Sequence, residues 1–322
     1  MRQRLCALAA LAMAAAVSSA PAAHGYPTKP VRVISASGPG GISDVFMRAV
    51  GEELHKRWGQ PVIIESRPGG AMNIGARACA EAEPDGYTLC IMSGVPVTYN
   101  LFLFKKLPVD VENAIVPVTN LFFLTQTLAV NADLKVKSVA DLVALAKARP
   151  KTLSYSASGP SLVLYMENLN KAQGIDIVRV PFKSGGDAVN GVLSGVTPIT
   201  LLGFGNMLGH LRAGRFTALA VDGDHRSSLF PDVPTLAETG YHGPLTQSYF
   251  GLYAPAGVPK ALLEKIAADV REVASDAGFR EAHFIQRGLE PVLDTPDEFA
   301  AFLKKDRANA RRVVEETGLK PQ

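Results

Sequence analysis

Long apolar runs, excess charge and cysteine are all scarce in this sequence. Beyond the first twenty residues no stretch approaches the ~18 uninterrupted apolar residues of a bilayer-spanning helix, so no later segment is expected to anchor the chain in a membrane. The 33 basic and 30 acidic residues nearly balance, and nothing marks a nucleic-acid partner. Of three cysteines, Cys6 lies in the leader described below, which leaves Cys79 on an expected helix and Cys90 on an expected strand. A disulfide between them is open in oxidising surroundings; two buried free thiols is the plainer expectation. Among six histidines, His55, His210 and His283 fall in separate helical stripes without a partner at metal-ligand spacing, so neither a metal nor a cofactor is called for. A Gly-x-Ser-x-Gly nucleophile elbow is also missing, which argues against a serine hydrolase.

The chain opens with Arg2 and Arg4, an apolar stretch from Leu5 to Val17, and small residues through Ala22 to Gly25. That is the layout of an export signal, expected over residues 1–25 with cleavage near 22–25. Cys6 stands at the head of the apolar core rather than at its end, against lipid attachment through its thiol. The expected product is exported and freely diffusing, and without the two leader arginines its 31 basic and 30 acidic residues give a net charge of +1.

What the chain has in plenty is small residues at particular places. Ser35-Ala36-Ser37-Gly38-Pro39-Gly40-Gly41-Ile42-Ser43-Asp44 follows a strand signal and opens a helical stripe, and Ser156-Ala157-Ser158-Gly159-Pro160-Ser161 repeats the arrangement. Free N–H groups at a helix start carry partial positive charge, and small residues let an anion reach them, so two such loops suggest a cleft for a carboxylate or phosphate. Strand signals at 31–36, 61–65, 87–92, 153–157, 177–181, 199–202 and 216–221 alternate with helical stripes, which predicts an α/β fold. Ser138 with Asp141, and Thr295-Pro296-Asp297-Glu298, read as capping boxes, while Pro259 marks another helix start. The stretches 116–130 and 248–254 are the candidate crossings between domains, and the helical tail should pack on the N-terminal one.

An ordered set of short motifs then carries a resemblance. Tyr26-Pro27-Thr28-Lys29-Pro30, Pro39-Gly40-Gly41 with Asp44, Glu65-Ser66-Arg67-Pro68-Gly69-Gly70, Asn73-Ile74-Gly75-Ala76, Pro84-Asp85-Gly86-Tyr87-Thr88-Leu89, Pro231-Asp232-Val233-Pro234-Thr235 and Ala254-Pro255-Ala256-Gly257-Val258-Pro259 run nearly the length of the chain. In this it resembles the extracytoplasmic solute-binding proteins of tripartite tricarboxylate transporters, the TctC or Bug proteins. The resemblance implies a two-lobed, type II periplasmic-binding-protein-like fold, each lobe a mixed sheet flanked by helices. Lobe 1 is expected over 26–124 and 249–322, and lobe 2 over 125–248. It further implies a periplasmic receptor, expected to be a monomer, that makes and breaks no bond, grips a small organic carboxylate with main-chain amides of the two loops, and docks on inner-membrane transporter subunits. A membrane sensor is the alternative partner. Three to five charge-assisted hydrogen bonds at ~1.5–3 kcal/mol each suffice for the ~8 kcal/mol of micromolar binding after ordering costs.

The expected ligand contacts are Ser37, Gly38, Gly40, Gly41, Ser43 and Asp44 on the first loop and Ser158, Gly159 and Ser161 on the second. Ser93, Thr125 and Gln126 are expected to add polar contacts. Where the family often has Pro-Phe-Pro, this chain has Ala36-Ser37-Gly38, and positions usually held by Asp fall at Pro198 and Leu202. The far wall is therefore expected to be greasier, built from Leu202, Phe182 and Phe204, and suited to a ligand with an apolar or aromatic far end; Phe122 and Phe123 are further candidates for it, with core packing as their plainer role and Thr125 ranked above both. Asp44 is assigned either to ordering its loop or to a donor group of the ligand; Ser43 has helix capping as its plainer role. Lys183 is expected to be a solvated surface lysine, and Asn73 a helix start. A dinucleotide-dependent oxidoreductase is the enzyme rival, because the strand, Gly38-Pro39-Gly40, helix and second strand ending at Glu65 imitate a nucleotide fingerprint. Ser43 stands where a third glycine belongs, and an exported chain meets little soluble nicotinamide cofactor.

Overall fold

The computed structural model describes residues 25–157, 160–182, 185–245 and 247–321. The chain runs in three legs. The first comprises β1 (Val31–Ser35), α1 (Ile42–Trp58), β2 (Val62–Ser66), α2 (Asn73–Ala80), β3 (Thr88–Ser93), the short helices α3 (Asn100–Leu103) and α4 (Val111–Ala114), and β4 (Ile115–Leu124). The second holds β5 (Gln126–Asn131), α5 (Val139–Ala148), β6 (Ser154–Ala157), α6 (Pro160–Gln173), β7 (Val178–Arg179), α7 (Gly185–Leu193), β8 (Ile199–Gly203), α8 (Phe204–Arg212) and β9 (Phe216–Val221). The third returns through β10 (Ser248–Pro255), α9 (Lys260–Ala274), α10 (Ala277–His283), β11 (Glu290–Pro291) and α11 (Pro296–Thr317).

The first and third legs build a six-stranded sheet in the order β11-β4-β10-β3-β1-β2, and the second builds a five-stranded sheet, β7-β6-β8-β5-β9. In the larger sheet β1, β2 and β3 are parallel while β10 runs against β3 and β4. Alternate side chains leave a strand on opposite faces, and both faces are covered. Leu89 and Ile91 of β3 join Phe46, Met47, Val50 and Leu54 of α1 and Ile266 and Val270 of α9, whereas Cys90 and Met92 join Ala76 and Cys79 of α2 and Phe299 and Leu303 of α11. The smaller sheet is packed by Leu142 of α5 and Tyr165 and Met166 of α6 on one side, and by Val189, Val192 and Met207 of α7 and α8 on the other.

The two sheets communicate through neighbouring strands. β4 passes to β5 across Thr125, and β10 begins at Ser248, paired with Leu124. The Thr125 hydroxyl donates to Glu290 (3.0 Å), the Gln126 amide donates to Asp222 (2.7 Å), and His225 reaches Glu290 (3.2 Å). The tail helix α11 starts in the expected capping box, with Thr295 and Glu298 bonded reciprocally and Pro296 at the first turn, and it packs on β4 as well as on α6 of the second leg. Ser138 caps α5, but the Asp141 carboxylate bonds the amide of Lys137 instead of closing the box on Ser138.

Cys79 and Cys90 form a disulfide, correcting the expectation of free thiols. Cys79 lies on the buried side of α2 and Cys90 on the face of β3 that α2 covers, with Cα atoms 6.0 Å apart. That juxtaposition arises from packing an α-helix across a strand eleven residues later, a relation that local pattern does not contain.

Candidate functional site

β1, β3 and the start of β10 meet at one edge of the larger sheet, since Ser35 pairs with Ile91 and Phe250 with Ser93. The loop after β1 and the turn after β3 are therefore adjacent, at the carboxyl ends of parallel strands where ligands of open α/β sheets bind. Opposite them, β6 ends at Ala157 and α6 begins at Pro160. The cavity described below joins the end of β3 to the start of α6, and no residue of the loop after β1 is among those that line it.

The first loop is held from within. Asp44 is buried, accepts the Gly40 amide (3.0 Å), and takes both ends of the Arg48 guanidinium (3.1 and 3.0 Å). The Arg48 hydrogen bonds hold its carboxyl below the usual carboxylate range; burial opposes them, and the Gly40 amide adds to them. Asp44 thus orders the loop, the first of its two expected roles. Gly40 has φ 77°, a left-handed conformation that suits glycine, and Gly41 closes back on the Gly38 carbonyl (3.3 Å). Ser37 and Gly38 are half-buried, and Gly40 is exposed.

Helix α1 begins at an N-cap, Gly41, that offers no side-chain acceptor to the first turn. Ser43 does not cap it, contrary to the plainer expectation. Its hydroxyl is fully buried and meets no hydrogen-bond partner among the described residues. A 17-residue helix thus opens with orphan donors and one unpaired hydroxyl, the arrangement that welcomes an anion.

A cavity of about 340 Å³ lies between the lobes. Ser93 and Gly94 contribute from the end of β3, Gln126 from the crossing, Ser161 and Leu162 from the first turn of α6, and Asp306 from α11. Three expected contacts, Ser93, Gln126 and Ser161, are therefore brought together. Ser158 and Gly159, and also Lys183, lie outside the described residues. Thr125 does not line this cavity: it is buried, its hydroxyl donates to Glu290, and its carbonyl accepts the Phe204 amide (3.0 Å).

None of the expected wall residues lines this cavity, and Phe122 and Phe123 take the core positions that were their plainer role. Phe122 packs on Phe46 within the core, Phe123 lies against Phe302, and Phe204 is fully buried and stacked on Phe230. Phe182 lies against Gly191, where an added Cβ would fall 2.6 Å from its ring, and Leu202 packs with Val189, Val192 and Met207. Each of these sits where its own lobe needs an apolar filler. The cavity is nonetheless apolar, walled by Leu103, Leu124, Leu162, Tyr249 and Phe250, with Tyr99 and Gln247 beside them. Sequence reasoning missed these residues because they come from four distant stretches. Asp306 alone left a legible mark, an acid at a stripe position of an amphipathic helix.

The nucleotide rival loses its acidic anchor. Glu65 is paired with Arg32 (3.4 Å) and Arg67 (2.6 Å) instead of standing open for a ribose.

Comparison with known proteins agrees with this geometry. The pattern of the family described as "Tripartite tricarboxylate transporter family receptor", TctC, matches residues 46–319. Protein BugT of Bordetella pertussis is 33% identical over 321 residues, covering 98% of each chain. A solved periplasmic transporter structure is 31% identical with TM-score 0.71, over 92% of this chain and 99% of that one. The R. palustris protein Rpa4515, solved with adipate, is 26% identical with TM-score 0.73, over 92% of this chain and all of that one. MatC from Rhodopseudomonas palustris, solved with bound malate, is 25% identical with TM-score 0.67, over 90% of this chain and all of that one. With its two mixed sheets, the chain has the two-lobed periplasmic-binding-protein fold, and it belongs to the TctC, or Bug, family of tripartite tricarboxylate transporter receptors.

Proposed function

We propose that this chain is a periplasmic receptor that captures a small organic carboxylate between its lobes and delivers it to the membrane subunits of a tripartite tricarboxylate-type transporter. The observation that carries the reading is the start of α1: a helix with no side-chain cap, whose buried Ser43 hydroxyl has no partner among the described residues. A carboxylate placed there accepts these donors and sits at the positive end of the helix dipole. Serine 161, in the first turn of α6, belongs to the opposing lobe and lines the cavity. That two relatives were solved with adipate and with malate supports the ligand class.

Lobe 1 is assigned residues 26–124 and 249–322, and lobe 2 residues 125–248, closing about Thr125 and the start of β10. The apolar cavity walls favour a partly apolar ligand whose far end is uncharged. Calorimetry with hexanoate, benzoate, adipate and citrate tests the reading. A monocarboxylate is expected to bind the wild type most tightly, and Gly40→Val, strained at φ 77°, is expected to weaken it by at least about tenfold, near the worth of one lost charge-assisted hydrogen bond. Unchanged affinity in a folded variant would remove the first loop from the site.

A further inference from the structure

The buried face of α11 repeats at Phe299, Leu303, Ala310 and Val313, and the position that completes the stripe is Asp306, only 5% exposed. A carboxyl at such a place costs stability that an apolar residue would not. Burial, the larger influence, pushes its pKa up to about 7, against the opposing effects of the Thr98 hydroxyl that bonds it and the nearby Arg307 charge. Arg307 is otherwise engaged, donating to the Val97 carbonyl (2.9 Å) and pairing with Glu112 (3.3 Å). Thr98 is also hydrogen-bonded to the Tyr249 hydroxyl (3.2 Å), so the groups bonded around the carboxyl are neutral. Asp306 reaches the interlobe cavity, and the segment that carries Thr98, Val95–Tyr99, is a π-helical turn, a form concentrated at functional sites.

We propose that this cavity is the distal subsite of the receptor, and that Asp306 selects a ligand whose far end is a neutral hydrogen-bonding group such as a hydroxyl, rejecting one that ends in a second ionised carboxylate. The assignment rests on the carboxylate reading above. The near carboxylate occupies the start of α1, next to β3 through the β1–β3 pairing, and the ligand chain runs past Ser93 along the apolar walls. A hydroxyl at its end hydrogen-bonds Asp306. A second carboxylate there would place two like charges in a poorly solvated cavity, which disfavours both being ionised.

The test is calorimetry at neutral pH on the full mature chain with three matched series, the straight-chain acids from butanoate to octanoate, their ω-hydroxy acids, and the corresponding dicarboxylates. At one chain length the ω-hydroxy acid is expected to bind wild type about tenfold tighter than the parent acid, the worth of one buried hydrogen bond, and tighter still than the dicarboxylate. Asp306→Leu, which completes the apolar stripe, is expected to abolish the hydroxyl preference. Asp306→Asn is expected to keep it while narrowing the gap to the dicarboxylate. A hydroxyl preference absent at every length, or undiminished in Asp306→Leu, overturns the subsite and leaves the carboxylate reading standing. The ω-amino acids of the same lengths are titrated beside them, and tightest binding by one of these likewise overturns the neutral-terminus assignment. Binding by none of the three series overturns both readings.

Discussion

A single missing side chain shapes the cavity. At Gly94 an added Cβ would fall 2.5 Å from the ring of Tyr249, which is itself buried and forms part of the wall. Gly94→Val therefore forces the ring into the cavity or away from Thr98, and ligand affinity is expected to fall at least about tenfold, a loss of ~1.4 kcal/mol, read by calorimetry on protein whose far-ultraviolet circular dichroism is unchanged. Residue chemistry is also where sequence reading was weakest. It selected phenylalanines as wall residues for their apolar character, and the fold spends Phe122, Phe182 and Phe204 on filling space inside each lobe. A ring's type does not say which side of a strand faces the ligand. Small residues were more informative, because a run of them at a strand-to-helix junction has few uses besides a tight turn or a close approach to a guest.

Elements were legible where their signals are local. The capping box at Thr295 announced α11 to the residue, and strand and helix periods placed the alternating units, because both depend on neighbours within one or two turns. Thr295→Ala removes the acceptor for the Glu298 amide and is expected to cost about 1 kcal/mol in urea unfolding. The disulfide was not legible, since it is a contact between the faces of two elements. Closing a loop of eleven residues, it is expected to contribute about 2–3 kcal/mol by restricting the unfolded chain. Replacing both cysteines with alanine should lower the free energy of unfolding measured in urea by that amount while leaving ligand affinity within about twofold, because neither residue lines the cavity. A larger loss of affinity would mean that α2 positions the neighbouring end of β1.

At the scale of the molecule, the two sheets are joined at a place rich in buried acid. Asp222 accepts the Gln126 amide with one oxygen, while the other is buried without a partner among the described residues. Burial, opposed by that hydrogen bond and reinforced by Glu290, pushes its pKa up to about 8. Asp306 and, by burial against its bond from the Asn120 amide, Asp294 are pushed up to about 7 and about 6. In the unfolded chain each returns to the ordinary value of 3.8. Between that value and the folded one, the native state binds more protons than the unfolded state, so stability falls as pH rises. Asp44 and Asp269 act the other way. At Asp44 the Arg48 hydrogen bonds, and at Asp269, where burial is the largest single influence and opposes, the combined bonds from Lys265, Trp58 and Arg57 hold the carboxyl below 3.8, and the stability they add is lost on acidification through their folded values. The melting temperature is therefore expected to peak at about pH 4 to 5, just above the ordinary carboxylate value, and to decline from there toward pH 8. Asn at position 222 keeps an acceptor for the Gln126 amide and carries no proton to lose, so Asp222→Asn should flatten the decline between pH 5 and 8 without lowering the melting temperature at pH 5. A decline as steep in that variant as in the wild type would show that the charge at the crossing of the lobes is not what the native state avoids.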